Sequence, residues 1–314
     1  MNYSEFKDQF VADVKAKLSE MGADAEVTVN EVKKMNDSYE AITVTPAGSN
    51  IGANININAA YAALEDGVTY EDVLDKWVEI INNGLIANKP NFNVSEITNY
   101  SVMKDRLAIQ VVSAEVNKEL LETVPHQVLE DMAVVYRFVL STGENGNASC
   151  LVSNQMLETM GVTPEQLFAD AAEIAPKKNP TEIKGMSQLM AEMMGPETAQ
   201  MLGIALVDPE DEMMFVASNP NKLNGAAVLT YPGFLEQAAE QLGGDFYVLP
   251  SSIHEIILLP ERGDMCPREL ENMVQEVNAT QVAPEDKLSD NVYHYDSEAK
   301  AFELAEKYLA RKAA

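Results

Sequence analysis

Positive charge is scarce in this chain. Its 22 lysines and arginines stand against 50 aspartates and glutamates, a formal charge of −28. Such a surface repels nucleic-acid phosphates and anionic lipid, which argues against ordinary DNA, RNA and membrane-surface binding. Cysteine is nearly absent. Cys150 and Cys266 lie far apart and neither belongs to a C-x-x-C pair, so no zinc site and no redox motif is expected, and a reducing cytoplasm fits. No apolar stretch approaches the roughly 20 residues that cross a bilayer. The first residues, MNYSEFKDQF, show no basic region followed by an apolar run, so no signal peptide is expected.

Catalytic signatures are missing as well. H-E-x-x-H is absent, because His254-Glu255 is followed by Ile-Ile-Leu. Gly143-Glu144-Asn145-Gly146 and Gly243-Gly244 lack the following Lys-Ser/Thr of a phosphate loop. Asp208, Glu210, Asp211 and Glu212 could offer oxygen ligands, but the calcium-loop spacing and its glycine are not there, so a solvated turn is expected. No metal and no cofactor follow from the residues. The acids are scattered rather than gathered in one run, so the charge reads as a solvating surface before it reads as a DNA mimic.

The densest pattern that is present spans residues 231–261. Pro232 suits a first helical turn. Phe234, Leu235, Ala238, Ala239 and Leu242 recur at helical spacing, and Gly243-Gly244 stops the helix. Strands are expected at 246–249 and 253–259, with Pro250-Ser251-Ser252 as the turn of a hairpin.

Elsewhere, an amphipathic helix is expected over 3–21, carrying Phe6, Phe10, Val14 and Leu18 on one side, then strands at 26–33 and 39–44. After an extended stretch at 51–57 come a short helix at 59–64 and a longer one capped by Thr69, with Val73, Trp77, Ile80 and Ile81 facing inward. The Asn-rich stretch 82–99 reads as a linker, dividing a unit 1–99 from a unit 100–314. In the second unit, strands are expected at 107–113, 132–140, 148–152, 215–217, 226–230 and 292–295, with a turn at 143–147. Helices are expected at 155–160, 164–174, 183–194, 269–277 and from 298 onward, with a break at 176–180. The region near 181–203 is a Met-rich helical insertion. Hairpins joined by helices give an α+β fold: an antiparallel sheet flanked by helices, preceded by a smaller N-terminal helix-and-strand unit.

Four segments carry a resemblance: Asn117-Lys118-Glu119-Leu120-Leu121, MAVVYRFVL from Met132, SSIHEIILLP from Ser251 and LSDNVYHYD from Leu288. With them the chain resembles, over nearly its whole length, an uncharacterised family, domain of unknown function 5688, found in anaerobic gut Firmicutes. The order of helices and strands also resembles, more faintly, the uncharacterised family numbered 1444. The resemblance implies a full-length bacterial cytoplasmic protein and attaches no activity, ligand or partner.

Among residues that could do chemistry, Ser252 and His254 would share a face of one strand, with Glu255 beside them, and could suggest acyl transfer. No nucleophile elbow and no orienting acid accompanies them. His126 and His294 stand apart in sequence. Arg137 alternates with Val135 and Val139, and Glu255 with Ile253 and Ile257, so a partly buried pair is expected, Arg137 with Glu255 across the sheet or each with another opposite charge. Met186, Met190, Met193 and Met194 form an adaptable stripe of the kind used for partner docking, with core packing as the plainer alternative. The leading expectation is a non-catalytic, acidic, cytoplasmic bacterial protein acting through a protein partner. A hydrolase using Ser252, His254 and Glu255, and a DNA-mimicking inhibitor, are the alternatives.

Overall fold

A computed structural model describes residues 1–49, 52–83, 94–143, 146–202, 211–262 and 265–313. The chain forms two compact units, Met1–Glu96 and Ile97–Ala314.

The first unit opens with α1 (Tyr3–Glu20), where Asn2 and Glu5 make a reciprocal capping box. Strands β1 (Ala25–Lys34), β2 (Asp37–Pro46) and β3 (Ala53–Asn56) form an antiparallel sheet in that order. Helices α2 (Ile57–Glu65) and α3 (Tyr70–Ile81) follow. The fourfold spacing of Phe6, Phe10, Val14 and Leu18 puts all four in one core with Ile42, Val44 and Ile55. Truncating either phenylalanine there costs about 3–5 kcal/mol. On α3 the inward face is Val73, Leu74, Val78 and Ile81. Trp77 packs partly buried against this core, but the expected Ile80 is 48% exposed, because the 3.6-residue period turns it away from Val73, Leu74, Val78 and Ile81.

The second unit begins with short helices α4 (Val94–Ile97, which straddles the division) and α5 (Tyr100–Met103), then β4 (Leu107–Ser113), α6 (Lys118–Leu121), β5 (His126–Leu129), β6 (Met132–Gly143) and β7 (Gly146–Leu151). The long central β6 takes β4 along one edge, and β5 and β7 end to end along the other. Helices α7 (Asn154–Met160) and α8 (Pro164–Lys178) lead to β8 (Glu182–Gly185), α9 (Met186–Met194), α10 (Pro196–Met201) and β9 (Phe215–Ser218). Then come α11 (Phe234–Leu242), β10 (Phe246–Ser252), β11 (Glu255–Pro260), α12 (Pro267–Thr280), β12 (Tyr293–Asp296), β13 (Ala301–Leu304) and α13 (Ala305–Ala313). The second sheet has the order β13-β12-β10-β11-β9-β8, and every pairing in it is antiparallel. The fold is α+β, and the second unit holds two antiparallel sheets rather than one.

Several expectations move. Residues 226–230 are not a strand but part of a buried 3-10 turn, Gly225–Thr230. The stretch 182–185 is strand β8, so the Met-rich helix starts at Met186. Pro176 lies inside α8 and does not break it. The tail forms β13 before α13. Pro250-Ser251-Ser252 belongs to β10, and the hairpin turns at Ile253-His254. The linker core 84–93, the 144–145 turn tip and Asp208–Glu210 lie outside the described residues.

The C-terminal helix is tied down by Asp296. Its carboxylate accepts from the Ala299 backbone at 2.8 Å and from Arg311 Nη2 at 3.0 Å, with Lys312 at 3.6 Å. The Ala299 amide first, and Arg311 second, hold this carboxyl down to about 2, from 3.8. A depressed folded-state pKa stabilises fully above 3.8 and is lost as pH falls through about 2. Asp296→Asn is therefore expected to melt a few degrees below the wild type at pH 7, with the gap closing by pH 2. Paired melts across that range check it.

Candidate functional site

A cavity of about 360 Å³ opens where the first sheet of the second unit meets the loop after β9. On the β6 face, Arg137 stands opposite Ala108 of β4, two residues from Val139, which faces Ser149 of β7. Arg137 donates Nε to Ser149 Oγ at 3.0 Å and Nη1 to Gln110 Oε1 at 3.3 Å. Both acceptors are neutral. Burial pushes the Arg137 guanidinium's pKa down, yet an arginine stays charged in a protein. Half-buried Arg106 also lines the cavity and reaches the Leu140 carbonyl at 3.5 Å. Lys178, at the end of α8, lines the rim. Among the described residues no carboxylate pairs with Arg106, Arg137 or Lys178; one acid, exposed Asp105, lines the same space.

The opposite wall is the loop 219–224, and its shape is fixed from below. Asn219 is buried; its amide donates to the Leu223 carbonyl at 2.8 Å and its Oδ1 accepts from Asn221 N at 3.1 Å. Lys222 and Asn224 take left-handed backbone, with φ of 51° and 53°, which asparagine tolerates best among residues with a Cβ. Gly225 then passes so close to the β10–β11 turn that a Cβ there would sit 2.0 Å from Ser218 Oγ and 2.2 Å from the His254 carbonyl oxygen. Asn221 Nδ2 reaches Asn179 Oδ1 at 3.3 Å, closing the wall toward α8. Tyr231 lines the cavity too, its phenol pushed up to about 12 by burial.

His254 is one of the supports. Asn224 N–H donates to its Nδ1 at 3.1 Å, so Nε2 carries the proton and donates to Asp286 Oδ1 at 3.2 Å. Both ring nitrogens are thereby engaged. Ser252 Oγ accepts from the His254 backbone at 3.0 Å, and Glu255 begins β11 across from Ser252. The three are neighbours, but they do not form a nucleophile with a free base, which acyl transfer requires. His254→Ala removes the acceptor of the Asn224 amide. That amide is expected to exchange with solvent at least ~10-fold faster, since a lost bond of ~1.4 kcal/mol is tenfold; amide hydrogen exchange reads it.

The expected Arg137–Glu255 pair does not form. β6 and β11 belong to different sheets, and Arg137 uses Ser149 and Gln110 instead. Ile253 lies in the hairpin turn rather than on a strand with Glu255, and alternation says nothing about which strands pair. On α9 no residue is buried, and Met190, Met193 and Met194 are exposed, Met193 at 84%, while Met186 is half-buried. His126 starts β5, its Nδ1 3.1 Å from the Val124 carbonyl.

A second cluster joins Asp245, Glu261 and His294, whose ligand-type atoms lie within 4.8 Å of one another. The register explains it: Tyr247 pairs with both Leu259 and His294, and Asp245 and Glu261 lie two residues beyond Tyr247 and Leu259, on the same face. His294 is fully buried, stacked on Tyr308 with ring centroids 3.5 Å apart, and its Nε2 lies 3.0 Å from Glu261 Oε2. Its Nδ1 is buried without a partner among the described residues. These three residues could hold a divalent metal. A metal taken through Nε2 would move the ring proton to Nδ1, where no acceptor waits, and ligating histidines normally have one. With no acceptor for Nδ1 among the described residues, the arrangement suits a hydrogen bond between Nε2 and Glu261 better than a metal ligand.

Sequence reasoning missed Arg106, Lys178, Asn179 and Asn219. The local signal was there in the dense amides and cations of NPNKLNG and APKKNP, but nothing in sequence joins those segments to Arg137.

A family model, described as a family of unknown function (DUF5688), matches residues 3–297. Nothing supports the fainter likeness to the family numbered 1444. No curated protein matches the chain, and no solved structure does.

Proposed function

The chain belongs to the DUF5688 family, and we propose that it is a non-catalytic binding protein whose working site is the cavity lined by Arg106, Arg137 and Lys178, with a small anionic molecule as its ligand. One observation carries this. In a chain of net charge −28, three cations turn toward one cavity without a carboxylate partner among the described residues. A half-buried arginine bonded to neutral acceptors only is costly unless a further anion completes it. The volume falls in the usual range for small-molecule sites, roughly 300–1,000 Å³. Nucleic acid as a polymer stays outside the reading, because the whole surface repels it. Cys150 and Cys266 are free thiols, which suits the cytoplasmic setting that forms part of the proposal. Among the described residues no helix is long and apolar enough to cross a membrane.

The test is calorimetric titration of small organic anions at low ionic strength. Binding should weaken with added salt, and Arg137→Gln should weaken it about 30-fold or more, the loss expected for a charge-assisted hydrogen bond of ~2 kcal/mol. Unchanged affinity in Arg137→Gln would remove the reading.

A second reading is protein docking through α9, supported by the exposure of Met190, Met193 and Met194. Under it, Met193→Glu should abolish retention of a host protein that the wild type retains, and leave small-anion binding intact.

A further inference from the structure

We infer that the ligand of this cavity is a phosphate monoester carried on a small hydroxyl-bearing body. This rests on the anion-site reading above and goes further in naming the chemical class. The charge count comes first: three cationic residues less the one acid, Asp105, leave a net charge of two to be matched. A phosphate monoester supplies about −1.5 to −2 near neutrality, where a single carboxylate supplies one.

The donors have the matching geometry. Arg137 is held by Ser149 at Nε and by Gln110 at Nη1, which fixes the guanidinium plane and leaves Nη2 without an acceptor among the described residues. A fixed planar fork is suited to phosphate oxygens. Arg106 adds a second guanidinium with one contact at the limit of hydrogen bonding, and Lys178 adds an ammonium with no acid partner among the described residues.

Size then asks for more than inorganic phosphate. The cavity of about 360 Å³ lies in the range of small-molecule sites, and a five-atom tetrahedral anion fills only a fraction of it. The rest of the wall is mixed. Leu107, Ile109, Val139 and Leu223 are apolar, while Asn179 and Asn221 share one hydrogen bond and keep the Asn179 NH2 group and the Asn221 side-chain carbonyl to spare among the described residues. Spare donors beside spare acceptors suit a body with hydroxyl groups.

The test titrates the full chain with four probes by calorimetry at low salt: ribose 5-phosphate, ribose, inorganic phosphate and succinate. Ribose 5-phosphate should bind at least ~10-fold tighter than each of the other three, and its affinity should fall as pH drops through ~6 and the monoester loses its second charge. Arg137→Gln should weaken it at least ~30-fold, and Arg137→Lys should restore part of the loss because it returns charge without the fork. Lys178→Gln, an exposed change at the end of α8, should weaken it ~5- to 10-fold with unaltered melting. If succinate matches ribose 5-phosphate, the phosphate assignment is wrong while the anion site stands. If inorganic phosphate matches it, the organic body is wrong. If no probe binds, the phosphomonoester falls while other small anions still test the site; if Arg137→Gln binds every anion like the wild type, the anion site falls with it.

Discussion

Gly225→Ala should destabilise the second unit by about 3 kcal/mol or more, at the upper end of what overpacking costs. The added carbon would lie 2.0 Å from Ser218 Oγ and 2.2 Å from the His254 carbonyl oxygen. The serine can rotate, but it would then give up its own 2.7 Å bond to that carbonyl. The carbonyl cannot move alone, because the Ala226 amide donates to the neighbouring Ile253 carbonyl at 3.2 Å and the Ile253 amide is itself bonded to Asp286. Relief must therefore come from displacing the 3-10 turn, and with it the loop that walls the cavity. Gly185→Ala is the internal comparison. Its Cβ would meet only the Glu212 side chain, the carboxylate at 2.5 Å; that carboxylate must give up its 3.1 Å bond from the Ser187 amide to move, but no backbone blocks it, so the cost should be smaller. Denaturant midpoints of the two variants read the difference. If Gly225→Ala unfolds within 1 kcal/mol of the wild type, the close approach is not a real constraint on this loop.

The same loop shows what sequence reading can and cannot reach. Helix α1 was legible because Phe6, Phe10, Val14 and Leu18 repeat at the helical period and a capping residue precedes them. Strand β6 was legible because a nine-residue run of β-formers has few other uses. The run AAVLT gives no such choice. A short, wholly buried apolar segment has no periodicity to read, and here the left-handed Asn224 and the close approach of Gly225 make it a 3-10 turn. Pro250 misled for a different reason. A proline in a strand is tolerated where its missing N–H faces no partner, and β12 pairs with β10 only from Phe246 to Val248, leaving that side open at Pro250. The tail residues AFEL are good helix formers overridden by pairing with β12. The site was the least legible part. Arg106, Arg137 and Lys178 come from three segments brought together by the β4–β6 pairing and by α8 lying against β4, and no local pattern encodes that.

Asp131→Ala should cost about 3 kcal/mol, the price of leaving a buried donor without its charged acceptor. Asp131 sits in the turn between β5 and β6. It accepts from Ser289 Oγ at 2.7 Å, from Asn291 Nδ2 at 3.0 Å and from the Tyr293 hydroxyl. Those three donors lie about 160 residues later in the chain, at the entry to β12. One carboxylate thus ties the first sheet of the second unit to the second. Tyr293 is fully buried, and burial together with the Asp131 charge holds its phenol far above the ordinary tyrosine range. It cannot turn to water when the carboxylate is removed. Tyr293→Phe removes that donor cleanly and should cost about 1 kcal/mol. In the double variant the orphaned hydroxyl is gone, so the combined loss should fall short of the sum by 1 kcal/mol or more. Denaturant unfolding of the four proteins gives the coupling directly. Strict additivity would mean that Asp131 and Tyr293 act independently, and that the carboxylate ties the two sheets through Ser289 and Asn291 rather than through the phenol.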